Sequence, residues 1–470
     1  ALSMVLCLVI GANFASDQDK LLDRHFGQEK DQKQWDSRAD MNSDGIINGD
    51  DLALSVRQQM LDEKHKIRVD NHVLVKFKSM LAQRDIESFL KQNNTGFINE
   101  LSVSSTGYRR IKVPEGETVE SFLSILLKDS KVLRAQPDFI CRVSETPNDQ
   151  YYYLQWHFPL IKAPEAWDLT GGGKNEVVVA ILDSGIAYED YGEYAQAPDL
   201  AGTAFAKGYD FINDDNHAND DEGHGTHVSG TVAQTTNNSI GVAGIAYRCK
   251  LMPVKVIDET GSGTSYSLAE GLRWAVDNNA DVINMSLGFA VGVNPGAIIE
   301  DAIRYAYDHN VICVAAAGND ADMPSYHGGI SYPAAYDECV AVGAIRYDKS
   351  RSYYSNYGSG ITCVAPGGDV RVDQNGDGYA DGILQQTFSR KNYTNFSYTF
   401  AQGTSNATPH VAAAAALFKS RKGGGSDAFF AALADTCIDL GPEGYDPEYG
   451  YGMIDVAKIV RKGQGWGADS

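Results

Sequence analysis

The spacing of apolar residues divides this chain into stretches of different texture. From about residue 177 to residue 344, short unbroken apolar runs alternate with segments in which apolar residues recur every three or four positions. Val177 to Leu182, Met252 to Ile257, Val282 to Met285, Val311 to Ala315 and Val340 to Ala344 are runs of the first kind and predict strands buried on both faces. Leu268 to Asn278, Ala297 to His309 and Thr404 to Lys419 carry the helical period and predict crossover helices. Strands and helices in alternation require a mostly parallel central sheet flanked by helices, an α/β fold.

Upstream the texture changes. Within residues 66–146, Val73 to Phe77 alternates as a strand, and Ile86 to Leu90 predicts a helix. Tyr108 to Val113 predicts a second strand, Val119 to Leu127 a second helix and Val132 to Val143 a closing strand. With room for one more strand near Phe97 to Val103, that order predicts a small ferredoxin-like α+β domain. Its boundary with the following body is expected within Glu145 to Asp149, so that residues 147–470 form the large domain. Residues 17–65 are polar and helical in pattern. Ala1 to Ala15 are almost wholly apolar and end in small residues, which reads as a secretory signal over residues 1–16. The other reading, a membrane anchor, is disfavoured because that run falls short of the ~20 residues a spanning helix needs.

Composition narrows the picture. A chain of 470 residues with 43% hydrophobic content exceeds one ordinary domain and can bury a large core. The formal charge of −22 is uneven: residues 1–145 hold 20 Lys+Arg against 22 Asp+Glu, leaving 20 against 40 for the remainder. An acidic body of this kind argues against nucleic acid as partner and for a soluble, cation-attracting surface. Of the cysteines, Cys249, Cys313, Cys339, Cys363 and Cys437 fall in the large domain. An odd number in an exported chain leaves at least one thiol free or paired between chains. Cys313 and Cys339 lie in predicted strands and are expected as buried small hydrophobes.

Three segments carry chemistry. The strand Val179 to Leu182 ends in Asp183; Gly223-His224-Gly225-Thr226-His227 opens a helix with a histidine; and Gly403-Thr404-Ser405 sets a serine on a turn before an Ala-rich helix. A serine hydroxyl is a poor nucleophile at neutral pH. Acyl transfer needs an imidazole to take its proton and a carboxylate to fix that imidazole's tautomer. His224 and Asp183 fit those roles toward Ser405. Asn319, ending Val314-Ala315-Ala316-Ala317-Gly318-Asn319, is placed to donate to the oxyanion of the tetrahedral intermediate, with the Ser405 amide as the second donor.

Asp, His and Ser in that chain order, each at the end of a strand or the start of a helix, resemble the subtilisin-like serine proteases over roughly residues 147–458. The resemblance implies a serine endopeptidase that acts on proteins and peptides through an acyl-enzyme. It also implies that residues 66–146 are an inhibitory propeptide, an intramolecular partner that is later cut away. Ser286, Leu287, Gly288 and Phe289 correspond to the edge strand that pairs with substrate, and Ala316 and Gly318 to a pocket wall. Small wall residues imply broad specificity with a preference for large apolar side chains. Asn406 departs from the pattern, because the family usually places Met after the nucleophile. The oxidation liability of a thioether is therefore absent at this position.

Calcium is the expected cofactor, at three places. Asp40, Asn42, Asp44, Asn48 and Asp51 take the oxygen-donor positions of a twelve-residue EF-hand or dockerin-like loop, with Gly45 at the turn. Thr236-Asn237-Asn238-Ser239-Ile240-Gly241-Val242 resembles the family's tight calcium loop, which implies Asn238, Ile240 and Val242 as ligands with Asp149 and Asp199 from distant segments. Asp373, Asn375, Asp377 and Asp381 repeat the D-x-N-x-D-G spacing within an insertion before the nucleophile. Oxygen-only ligands point to Ca²⁺ rather than a transition metal. Zinc hydrolysis and lipase chemistry are excluded, since neither H-E-x-x-H nor G-x-S-x-G occurs. The expected product is a secreted monomer with no membrane association after processing. The competing reading is a non-catalytic shell of the same fold serving as a binding module.

Overall fold

A computed structural model describes residues 68–78, 82–98, 107–139, 146–389 and 391–463. The expected signal and the loop Asp40 to Asp51 lie outside the described residues. The chain forms two compact units, Ala1–Val143 and Ser144–Ser470.

In the first unit, β1 (Arg68–Phe77) is the central strand of a sheet ordered β2-β1-β3, with β2 at Arg109–Lys112 and β3 at Val132–Phe139. Both neighbours run antiparallel to β1. Helices Gln83–Gln92 and Val119–Leu126 cover one face, burying Ile86, Phe89, Leu90, Phe122 and Leu126 against Val73, Val75 and Ile111. Thr118 caps the second helix through a reciprocal box with Ser121, which satisfies the orphan amides of its first turn. Phe97 bridges antiparallel to Ile111 on the free edge of β2. That is the place of the expected further strand, most of which lies outside the described residues.

The second unit is built on a parallel sheet of seven strands ordered β10-β9-β8-β7-β4-β6-β5. Here β4 is Val178–Asp183, β5 Tyr209–Asp210, β6 Lys250–Lys255, β7 Val282–Met285, β8 Ile312–Ala316, β9 Cys339–Ile345 and β10 Cys363–Pro366. Every residue of β4, β7, β8, β9 and β10 is buried, as continuous apolar runs require in a sheet covered on both faces. One layer holds helices Ser265–Asp277 and Ala297–Asp308; the other holds His224–Ala233 and the 17-residue helix Thr404–Ser420. The chain enters the sheet at β4, lays β5 and β6 to one side and β7 to β10 to the other. The strand order therefore reverses around β4, and such a switch point opens a crevice at the carboxyl ends of the strands. A hairpin of β11 (Ile383–Phe388) and β12 (Phe396–Ala401) was not foreseen in the sequence pattern.

All five cysteines of this unit are free thiols; Cys313 and Cys339 are buried register partners on β8 and β9. Among the described residues no helix is long and apolar enough to cross a membrane.

Three histidines lie buried in this unit. His410 Nδ1 is 2.9 Å from the Asn406 carbonyl oxygen, so that nitrogen carries the proton and Nε2 is an acceptor. His157 Nδ1 must then donate across the 2.7 Å to His410 Nε2. His157 Nε2 is left bare, buried and without a partner among the described residues. Burial pushes His157 well below the ordinary value, with the charges of His410 and His227 adding to it. Burial likewise lowers His410 to about 3 and His227 to about 4. These groups are depressed in the fold, so the stability they contribute is complete above the unfolded value of about 6.5 and is lost as pH falls toward their folded values. Unfolding free energy is expected to decline from pH 6.5 to pH 4 more steeply in the parent protein than in His157→Phe, which removes one of the protons that the fold refuses. Denaturant melts across that range check this; parallel slopes contradict it.

Candidate active site

Asp183 ends β4, 2% exposed, at the carboxyl edge of the sheet. Its Oδ1 accepts the Ser184 amide at 2.8 Å and faces His224 Nδ1 at 2.7 Å, while Oδ2 is buried without a partner among the described residues. The imidazole is thus fixed in the tautomer that protonates Nδ1 and leaves Nε2 unprotonated. His224 opens its helix directly after Asp220-Asp221-Glu222-Gly223, a turn organised by one carboxylate. Asp220 accepts from Ser184 Oγ, from the Glu222 and Gly223 amides, and from both the amide and the hydroxyl of Thr226. Beneath it Lys255, fully buried, donates to Asp221 at 2.6 Å and to the Ser184 and Ile257 carbonyls. Gly225 admits no side chain, since a Cβ there would stand 2.1 Å from the Gly185 carbonyl oxygen. Sequence reasoning did not single out Asp220, Asp221 or Lys255. Acidic residues beside a candidate histidine were the only available signal.

Ser405 stands in the first turn of the helix Thr404–Ser420, behind Gly403 at φ 152°. Its amide is one of the orphan donors of a helix start and has no acceptor among the described residues. Pro409, inside the helix, has no N–H to give the Ser405 carbonyl four residues back. Ser286 Oγ donates to that carbonyl instead at 2.7 Å, itself held by Asn284 Nδ2 at 3.0 Å. Asn319 follows β8, and its Oδ1 accepts both the Thr404 amide (2.8 Å) and the Thr404 hydroxyl (3.0 Å). Those two donors fix the amide orientation and leave the Nδ2 hydrogens to the cleft.

These groups meet on one cleft of about 600 Å³, lined by Asp183, His224, Asn319 and Ser405 together with Ser286, Leu287, Gly288 and Phe289. Ala316 and Gly318 do not line it: Ala316 is buried in β8, and Gly318 packs against Asn356 and Ser331. The opposite wall is Gly261-Ser262-Gly263-Thr264 after β6, which sequence reasoning passed over as loop. The Leu287 and Gly288 amides have no partners among the described residues. No hydrogen bond joins His224 to the Ser405 hydroxyl among the described residues; such contacts tighten when substrate fills the site.

Comparison with known proteins agrees with this geometry. Residues 174–452 match the family model described as Subtilase family, and residues 58–138 match the Fervidolysin N-terminal prodomain. The chain belongs to the subtilase family. It is 33% identical to a thermophilic serine proteinase of Bacillus sp. (strain AK1) over 75% of this chain and 79% of that one. It is 35% identical to thermitase of Thermoactinomyces vulgaris over 67% of this chain and 99% of the relative. A solved protease structure from Pseudoalteromonas arctica PAMC 21717 superposes with a TM-score of 0.58 at 34% identity, covering 68% of this chain and all of the other. This subtilase is accordingly a serine protease carrying an N-terminal prodomain.

The subtilase places its body calcium candidates in two clusters. Asp149 accepts the Asn237 and Asn238 amides, Asn238 Oδ1 accepts the Ile240 amide, and Asp199 meets Asn238 Nδ2 at 2.7 Å and the Val242 amide at 3.0 Å. Asp199 is fully buried, and burial raises it to about 6 against several hydrogen bonds that lower it. The partners of this buried carboxylate include the N–H groups of Asn238 and Val242 and the Tyr398 hydroxyl but no cationic side chain, and a calcium ion would supply the missing positive charge. In the second cluster Asp373 accepts the Gly376 and Gly378 amides, and Asn375 contacts Asp377. Asp381, 1% exposed, takes the Gln374 amide on Oδ2 and has no partner on Oδ1 among the described residues. Among the described residues no group of three or more His, Cys, Asp or Glu side chains converges as a ready-made metal cluster.

Electrostatics around His224 bear on pH. Burial, the largest influence, pushes the ring down. The charge and hydrogen bond of Asp183, with the charges of Glu222 and Asp220, outweigh it and raise the imidazole to about 9. With 37% of its side chain exposed, water screens part of that lift. A neutral Nε2 is required of a general base. For a short chromogenic peptide, kcat/KM is expected to rise with pH along a limb whose midpoint lies above the ordinary 6.5, and Glu222→Gln to lower that midpoint. Matched pH–rate profiles check this, and a parent midpoint at or below 6.5 contradicts it.

Proposed function

We propose that this subtilase is a secreted, calcium-stabilised serine endopeptidase of broad specificity, made as a precursor and acting through Asp183, His224 and Ser405. The observation that carries the reading is the 2.7 Å bond from His224 Nδ1 to Asp183, which leaves Nε2 free on the cleft that holds Ser405. His224 takes the Ser405 proton as Oγ bonds to the scissile carbonyl carbon. The oxyanion so formed is held by Asn319 Nδ2 and the Ser405 amide, each such donor being worth roughly 2.7–4 kcal/mol when deleted. His224 then returns the proton to the leaving amine as the C–N bond breaks. Water, activated by the same imidazole, hydrolyses the acyl-enzyme.

Substrate backbone lies between the walls Ser286 to Phe289 and Gly261 to Thr264, pairing with unpartnered main chain on the Leu287 side. Main-chain pairing is tolerant of sequence, which supports broad specificity. Residues 66–146 act as the inhibitory propeptide, removed by cleavage near Glu145 to Asp149. Export rests on the apolar run Ala1 to Ala15, and the enzyme works as a monomer. Asp149, Asp199, Asn238, Ile240 and Val242 hold one calcium ion, and Asp373, Asn375, Asp377 and Asp381 another. The ions contribute positive charge that binds these carboxylates and joins distant segments.

A fluorophosphonate probe separates this reading from the non-catalytic shell. Label is expected on Ser405 in the processed protein, and none in His224→Ala. An unlabelled parent protein sinks the proposal. Calcium is tested by chelation. An ion present at one hundred times its Kd stabilises by about 2.7 kcal/mol, so EDTA is expected to lower Tm and hasten self-cleavage. Asp199→Asn is expected to lose part of that response and Asp381→Asn a separate part, as differential scanning calorimetry with and without calcium checks.

A further inference from the structure

A second cavity, of about 810 Å³, lies at the other end of the sheet from the cleft. It opens where β4 begins and where the helix Thr404–Ser420 ends, the edge opposite Asp183 and Ser405. Six strand residues and 17 helical ones put it roughly 20–25 Å from the catalytic groups. Lys174, Arg248, Lys419 and Lys422 line it, with Glu176 as the only carboxylate in its wall and the Tyr247 ring beside them.

This is a local reversal of charge. The remainder after residue 145 has 20 Lys+Arg against 40 Asp+Glu, yet the cavity gathers cations from three separate segments. Three of them have a structural reason to be there. Lys419 and Lys422 sit at a helix C-terminus, whose carbonyls favour positive charge, and Lys419 donates to the Asn310 carbonyl at 2.8 Å. Arg248 precedes β6 with its guanidinium beside Gly171, which ends the helix Ala163–Thr170, and Lys174 precedes β4. None of the four makes a carboxylate ion pair among the described residues.

We propose that this cavity binds an oxyanion of the phosphate or sulfate class, free or as an ester on a polymer, with Arg248 as the bidentate fork and Lys174 and Lys422 as flanking charges. The planar guanidinium matches two oxygens of a tetrahedral anion, and ammonium groups act as point charges around it. An ester bound here holds the protease on a polyanionic polymer while the cleft stays open to substrate.

Titration calorimetry of the purified protein at constant ionic strength, with chloride as reference, tests this using sulfate, pyrophosphate, dextran sulfate and uncharged dextran. Saturable binding of sulfate or pyrophosphate assigns the site to free anions. Binding of dextran sulfate at least about tenfold tighter per group assigns it to polymer esters. In either case Lys174→Gln/Arg248→Gln is expected to weaken binding about tenfold or more, with chromogenic-peptide cleavage and the Tm in chloride unchanged. Absence of saturable binding to all three anions, or equal binding by the double variant, overturns the proposal.

Discussion

The hydrogen bond between His224 Nδ1 and Asp183 Oδ1 joins the end of β4 to the first residue of a helix 41 positions later. Its length depends on where the intervening chain is pinned. Asp220 does the pinning with five accepted hydrogen bonds, two of them from Thr226 and one from Ser184, so strand end, turn and helix start share one anchor. Lys255 closes the arrangement from below by tying Asp221 to the carbonyls that follow β4 and β6. Polar networks of this kind are valuable when complete and costly when broken, because removing one member strands a charge in a low-dielectric interior.

Ser405 is located by a second, independent set of contacts. Asn319 binds the Thr404 amide and hydroxyl, and Ser286 binds the Ser405 carbonyl that Pro409 leaves open. The loops after β4, β6, β7 and β8 all emerge at the same edge of a parallel sheet. The topology therefore brings the cleft residues Asp183, Ser286 and Asn319 to one place before any side chain is chosen.

Much of this was legible in the amino-acid sequence. Continuous apolar runs marked β4, β6, β7, β8 and β9 to within a residue or two, because a strand covered on both faces has no polar alternation to hide it. Asp183, His224, Asn319 and Ser405 were legible because each sits at a strand end or helix start that the pattern locates. The hairpin of β11 and β12 was not, since buried Gln385 and Gln386 break the apolar signal of β11. The wall Gly261 to Thr264 reads as loop because its small and polar residues carry no apolar period. Asp220 and Lys255 were hidden for the opposite reason: hydropathy assigns charged residues to the surface, and only tertiary pairing brings these inside. Ser286 was read as substrate wall alone; its bond to the Ser405 carbonyl follows from a missing amide that no pattern of polarity reveals.

The helix that carries Ser405 runs through the interior with Ala412, Ala413, Ala414, Ala415 and Ala416 all fully buried. Methyl groups let its backbone approach the sheet more closely than larger side chains would allow. The seat of the serine is thus set by volume along the whole rod. An added methylene two turns away tips the rod, and interiors packed at crystal density pass such a shift along rather than absorb it. Only very small residues fit this run on these grounds, and a tolerance map of the protein would show a silent stripe far from the cleft.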